Sequence, residues 1–300
     1  MTKGKMMEPI NLIKKEKVNN LIILTRSSNK ELLNKIDSNK KRSPLNIYLV
    51  DPEELDLPLK HFHENNPSIL PSNLHNSIIW NRVSGTNYSD YDYLVTQELC
   101  SLGATALNDP ALYINYRDKY AQLLHLRRHQ IPVLETYYLP NHNTEMINSS
   151  GPFVVKTLRG AKGRGVIKLE NISALKDFLT LTSSMGDNRF IIQELIEFAH
   201  EYRVLMLGGE VLQHLKKSPL PGEWKHGIET AKWEQLSETP EDLVEILSKI
   251  DHIEKKYFYA VDYIRNNDKL YILEVNTSPG ITSLNNSQVS RVLNEVTDFI

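Results

Sequence analysis

The stretch YILEVNTSPG, Tyr271 to Gly280, constrains this chain more than any other. It begins as a strand suited to burial and then sets Glu274 and Asn276 two positions apart within it. Alternate residues of a strand share a face, so Glu274 and Asn276 point one way while Leu273 and Val275 point into the opposite, apolar layer. The preceding YFYAVDYIRNND reads as a second strand, and the two form a hairpin turning around Asn266, Asn267 and Asp268. A turn of three or five residues sets Asp262 opposite Ile272 and diagonal to Glu274, on the same face, at about 7–8 Å between backbones. Two carboxylates brought together in a poorly solvated site repel unless a cation lies between them, and Mg2+ is the hard, oxygen-preferring candidate. The competing reading is a polar face turned to solvent, so other segments have to decide.

Composition narrows the field. Three hundred residues, 40% hydrophobic and 24% charged, describe a globular chain of about two domains. A formal net charge of -2 supplies no basic field and argues against nucleic acid as a partner. The single cysteine, Cys100, excludes an intrachain disulfide framework and a multi-cysteine zinc site, so the cytoplasm is the expected location. No run approaches 18 apolar residues and no export signal is visible, so no membrane contact is expected. His61 with His63, and His125 with His129, lack an obvious third metal ligand.

The order of elements points to an α/β chain whose C-terminal part is α+β. Leu21–Thr25, Leu45–Asp51 and Ser77–Val83 read as strands, with helices near Glu31–Ile36 and Asp90–Leu102, as in a small parallel-sheet domain. NYRDKYAQLLHLRRHQIP reads as one helix with Asn115 as N-cap, Asp118 at N3 and Lys119 near its start. FVVKTLRGAKGRGVIKLE is a hairpin with a basic tip. At that tip Gly160, Gly163 and Gly165 let several N–H groups converge on an anion, and Lys162 and Arg164 add charge. Lys156 interrupts a strand otherwise suited to burial, so it needs an anionic partner such as a phosphate. RFIIQELI offers a strand end for an adenine edge, with Gln193 and Glu194 as polar handles beside Leu195 and Ile196.

In this order the segments resemble the ATP-grasp superfamily, and most closely its RimK-like carboxylate–amine ligases, from about Trp80 to Ile281. The resemblance implies an ATP-grasp fold: an N-terminal parallel-sheet domain over residues 1–107 and an ATP-grasp domain over 108–300. The latter divides into a lid subdomain of about 108–194 and a metal and acceptor subdomain of about 195–300, which clamp ATP between them. It implies that Lys119 and Lys156 meet the nucleotide, that Gly160 to Gly165 close over its phosphates, and that Glu194 and Leu195 lie at the adenine hinge. Glu201 would meet the ribose, Arg203 would stabilise the transferring phosphate, and Asp262, Glu274 and Asn276 would hold two Mg2+ ions, with Mn2+ able to substitute. After VLQH the family usually carries paired arginines and then an aromatic, an arginine and an asparagine; here stand Lys216, Lys217, Trp224, Lys225, His226 and Gly227. Lysine keeps the charge but loses the bidentate fork, which leaves Lys225 as the second catalytic candidate and carboxylate recognition altered. The implied activity is an ATP-dependent ligase that joins an amino acid amine to a small-molecule or peptide carboxylate through an acyl phosphate. A catalytically silent ATP-binding regulator of the same fold is the alternative, and a homo-oligomer is expected by analogy alone.

Overall fold

The computed structural model describes residues 18–41, 43–60, 68–83, 89–160, 163–186, 189–198, 200–221, 231–254, 258–281 and 283–298. Among these residues no helix is long and apolar enough to cross a membrane. In chain order the first part runs β1 (Asn20–Leu24), α1 (Lys30–Lys40), β2 (Asn46–Val50), β3 (Ser77–Asn81), α2 (Tyr91–Ser101) and β4 (Thr105–Ala106). Its four strands form a parallel sheet of order β2-β1-β3-β4. The Asn29 side chain caps α1 by accepting from the Leu32 N–H, which satisfies one of the donors a helix start leaves open.

Two short helices follow, α3 (Pro110–Arg117) and α4 (Lys119–Arg128), where the sequence suggested one. Asp118 is the reason. It has extended backbone and its side chain accepts from the Ala121 N–H, so it is the N-cap of α4 and not the third residue of a helix capped by Asn115. Lys119 thereby becomes the first residue of a new helix.

The next sheet is antiparallel, order β6-β5-β7, from β5 (Phe153–Thr157), β6 (Val166–Leu169) and β7 (Phe190–Glu194). Helix α5 (Ile172–Ser184), capped by Asn171, covers it with Leu175 and Leu179. The third sheet has five antiparallel strands in the order β10-β9-β8-β11-β12: β8 (Glu201–Leu207), β9 (Glu210–Pro219), β10 (Ala231–Gln235), β11 (Phe258–Asn266) and β12 (Lys269–Asn276). Helix α6 (Glu241–Glu254) seals one face of it, packing Leu243, Leu247 and Ile250 on Val261, Tyr263, Ile272 and Val275.

The last helix, α7 (Asn286–Asn294), opens with a reciprocal capping box between Asn285 and Gln288. Its Val289, Val292 and Leu293 join a core that contains Leu21, Ile23 and Trp80 of the parallel sheet and Leu205, Phe258 and Ala260 of the five-stranded sheet. The two sheets are therefore welded through one apolar layer, which holds the ends of β1 and β3 against the polar face of the large sheet.

Candidate active site

The site is built by one irregularity in the β11–β12 hairpin. Asn267 and Asp268, with φ of 45° and 65°, make a two-residue turn of the kind that matches strand twist, not the longer turn assumed above. The ladder then pairs Tyr263 with Ile272, but the next pair is Asp262 with Glu274, and Leu273 is left over as a bulge. An unbroken ladder would have opposed Asp262 to Leu273 and turned Glu274 toward the apolar layer under α6. With the bulge, Asp262 lies directly opposite Glu274, closer than the diagonal relation expected from sequence. Leu273 is not in the apolar layer either; it lines the cleft above the sheet.

Cross-strand pairing assembles the rest of this face. Arg203 of β8 is opposed to Asp262, and Glu201, two residues earlier on the same face, is opposed to Lys217 of β9. Arg203 donates to both oxygens of Asp262, Nε to Oδ1 at 2.6 Å and Nη2 to Oδ2 at 2.5 Å. Burial alone would lower the Arg203 pKa, but Asp262, backed by Glu274 and Glu201, holds it above the ordinary value. Asp262 is 4% exposed; burial would raise its pKa, yet Arg203 and Lys217 keep it low. The cation that this pair of carboxylates requires is thus supplied in part by the protein.

The Lys217 ammonium is bonded to the Glu201 carboxylate and lies over the Trp233 ring at 5.0 Å. Lys216, its neighbour, points the other way toward Glu234 at 3.9 Å. The lysine pair therefore divides between the two faces of the sheet. Burial raises the pKa of Glu201 against the pull of Lys217.

A cleft of about 1830 Å³ lies between this polar face, the three-stranded sheet with its β5–β6 hairpin, and the C-terminal ends of β1 and β3. Single-ligand pockets are commonly about 300–1,000 Å³, so this one has room for a nucleotide and further reactants. Of the nucleotide, catalytic and metal residues that the resemblance implies, those among the described residues line it: Lys119, Lys156, Gly160, Gly163, Arg164, Gly165, Gln193 through Ile196, Glu201, Arg203, Asp262, Glu274 and Asn276. Lys225, Lys162, Trp224, His226, Gly227, and His61 with His63, lie outside the described residues. His125 and His129 meet edge to face with ring centroids 4.7 Å apart, away from the cleft lining.

Lys156 projects from β5, and among the described residues it has no hydrogen-bond or ion-pair partner. Burial lowers its pKa, Glu274 and Glu201 oppose that shift, and Lys119 adds to it. Lys119 donates from Nζ to the Gly160 carbonyl at 2.9 Å and so touches the hairpin tip. Gly165 has φ of 70°, and a Cβ there would stand 2.5 Å from Thr157 Oγ1, so only glycine closes this turn.

At the strand end, the Leu195 N–H is bonded to the Pro152 carbonyl at 2.8 Å and is therefore not a free donor to a base. Ile196, next along, lines the cleft and its N–H has no partner among the described residues. Gln193 donates to Thr136 Oγ1 at 2.8 Å and its buried Oε1 has no partner among the described residues, while Glu194 accepts from Ser149 at 2.8 Å.

The donors fit a hard divalent cation. Asp262 and Glu274 oppose each other on adjacent strands, Asn276 follows Glu274 by two residues, all three line the cleft, and the side chains of Glu274 and Asn276 make no hydrogen bond to another described residue. No cluster of three His, Cys, Asp or Glu occurs among the described residues, because here the third donor is an asparagine.

Residues that sequence reasoning left without a role also line this cleft. Arg159 follows β5 and ion-pairs with Asp90 ahead of α2, donating at 3.0 and 3.1 Å, and Arg117 donates to Asp90 at 2.8 Å and also bonds Asp92. Thr25 and Arg82, just past β1 and β3, close its far end. WNRVSG contained the signal for Arg82, a charged residue directly after a wholly buried strand.

Comparison with known proteins agrees with this geometry. A family model described as the RimK-like ATP-grasp domain matches residues 116–300. A probable alpha-L-glutamate ligase 2 of Shewanella baltica is 26% identical over 223 residues, covering 72% of this chain and 73% of its own length. A probable alpha-L-glutamate ligase of Legionella pneumophila is 24% identical over 223 residues, with the same coverage of 72% and 73%. The crystal structure of a RimK domain ATP-grasp protein from Sphaerobacter thermophilus superposes with a TM-score of 0.67 at 21% identity, covering 94% of this chain and 99% of its own. D-alanine–D-alanine ligase from Bacillus anthracis, complexed with ATP, gives a TM-score of 0.65 at 18% identity, with 94% and 96% covered. The bulged acidic hairpin, the glycine hairpin facing it and the family match over more than half its length agree, and the chain belongs to the RimK-like ATP-grasp family.

Proposed function

We propose that the protein is an ATP-dependent ligase that joins a carboxylate to an amine. The observation that carries this reading is the convergence on one cleft of two lysines, a glycine hairpin, Arg203 and the Asp262–Glu274–Asn276 set. The names of its relatives, glutamate ligases and a D-alanine ligase, support an amino acid as amine and a small molecule or peptide as carboxylate.

A carboxylate is a poor electrophile, so one of its oxygens first attacks the γ-phosphorus of ATP. The bond to the β-bridging oxygen breaks and ADP leaves. The amine then adds to the acyl carbon of the acyl phosphate, loses a proton, and inorganic phosphate departs as the amide forms. Such transfers depend on positioning and charge neutralisation more than on covalent help. Lys156 and Lys119 neutralise phosphate oxygens, and for Lys156 that contact supplies the anion its buried ammonium lacks. The N–H groups of Gly163 to Gly165 fold over the same phosphates. Leu273 and the Ile196 N–H receive the base, and Glu201 stands beside the ribose.

Asp262, Glu274 and Asn276 are the residues that would hold two Mg2+, or Mn2+ in their place, and such ions would supply neutralisation of phosphate charge. Arg203, held in place by Asp262, stabilises the charge on the transferring phosphoryl group. Lys225 is the proposed contact to the reacting carboxylate.

ADP release from Mg·ATP, measured against a panel of amino acids with a fractionated cell extract as carboxylate source, tests this. Release that requires one amino acid and disappears in Glu274→Ala is expected. Tight ATP binding with no release under any condition would favour the silent regulator.

A further inference from the structure

The parallel sheet has its topological switch between β1 and β3: the chain leaves β1 for β2 on one side, while β3 lies on the other. In open α/β sheets the crevice beyond such strand ends is where ligands bind. Thr25 and Arg82 are the first residues beyond β1 and β3 respectively, and both line the cleft. They are 2% and 6% exposed.

Both are also incompletely bonded. The Arg82 guanidinium carbon lies 4.8 and 5.5 Å from the ring centroids of Trp80 and Phe258, and Nη2 donates to the Pro279 carbonyl. Nε and Nη1 are buried without a partner, as is Thr25 Oγ1, among the described residues. Among the described residues no carboxylate pairs with this charge; burial lowers its pKa to about 10, opposed by Tyr113. A buried cation with two orphaned donors is costly, and a planar anion that takes both is its natural complement.

The position identifies which anion. Arg82 belongs to neither sheet that carries Lys156, the glycine hairpin or the strand end at Ile196. It reaches Pro279, three residues past the metal-facing strand, where Ser278 also donates to the Asn81 carbonyl at 3.1 Å. We infer that Arg82, with Thr25, anchors a second carboxylate of the acid substrate, distinct from the carboxylate activated beside Arg203. The substrate class is then a dicarboxylic acid or a peptide end carrying two carboxylates. This rests on the ligase reading above.

The test uses the full chain saturated with Mg·ADP. Succinate, glutarate and adipate, each paired with its monoamide, are titrated calorimetrically into the wild type, Arg82→Met and Thr25→Val. At least one dicarboxylate is expected to bind the wild type tenfold or more tightly than its monoamide. That ratio falls to within twofold in Arg82→Met and by about threefold in Thr25→Val, while Mg·ADP affinity is retained. Absence of any dicarboxylate preference in the wild type, or its survival in both variants, overturns the anchor. Should Arg82→Met not fold, Thr25→Val and Arg82→Lys decide, since lysine keeps the charge but not the fork. Failure of the wild type to bind Mg·ADP would instead overturn the ligase reading.

Discussion

Arg203, half-buried, and Arg82, buried, are arginines lining the same cleft, and they are opposites. Arg203 has its carboxylate: Asp262 takes two hydrogen bonds from it, and the pair holds the arginine's pKa up and the aspartate's down. Arg82 has two aromatic faces and one carbonyl, and its pKa falls to about 10. The lesson is that a buried charge reports what a site already contains. Where the protein supplies the counter-charge, the residue is fixed in place for chemistry; where it does not, the fold has left room for a ligand.

The largest effect that breaks this contrast is Arg203→Met. Removing it leaves Asp262 buried without its hydrogen-bonded counter-charge, with only Lys217 acting on it, so the protein free of metal should lose about 3–5 kcal/mol in urea denaturation. ADP release should fall by about 10²–10³-fold. Added Mg2+ should recover more stability in the variant than in the wild type, because the ion replaces the missing charge. Wild-type stability without metal would mean that water already compensates Asp262.

A middle case is Lys156, a half-buried cation whose partner is proposed to be the nucleotide. Lys156→Met should weaken Mg·ADP binding by about 10–100-fold, the worth of one charge-assisted hydrogen bond. Its pH dependence has a definite sign. The folded pKa lies below the ordinary 10.5, so between those two values the unfolded chain binds more protons. Stability of the wild type relative to Lys156→Met should therefore rise with pH across that window and level off above it. A difference that stayed flat with rising pH would count against a desolvated ammonium.

The smallest effect, with the more telling sign, is Arg82→Met. Methionine fills similar space without orphaned donors, so stability in the same urea series should stay within about 1 kcal/mol of the wild type or improve. A loss as large as that of Arg203→Met would make Arg82 a structural strut and erase the distinction between the two arginines.

Much of this site was legible along the chain because its parts are local. Lys156 interrupting FVVK, the glycines of the hairpin tip, and Glu274 with Asn276 on one strand face are each statements about a few consecutive residues. Their shared cleft followed from the order of the segments. Asp118 was misread by a few positions because two polar residues competed for one cap, and only the backbone at Asp118 breaks the helix. The bond from the Leu195 N–H to the Pro152 carbonyl, at the expected adenine hinge, depends on a neighbouring segment that local pattern does not reveal.

The sequence by itself determined which chemical groups the chain carries and the periods in which they alternate, and hence the strands, the hairpins and the ATP-grasp order. Tertiary structure alone decided how those periods meet. A two-residue turn and the bulge at Leu273 bring Asp262 opposite Glu274, since a one-residue change of register exchanges the faces of a strand. Arg82 meets the carbonyl of Pro279 across 197 positions of chain, a contact set by packing the parallel sheet against the five-stranded one, with no local pattern to announce it.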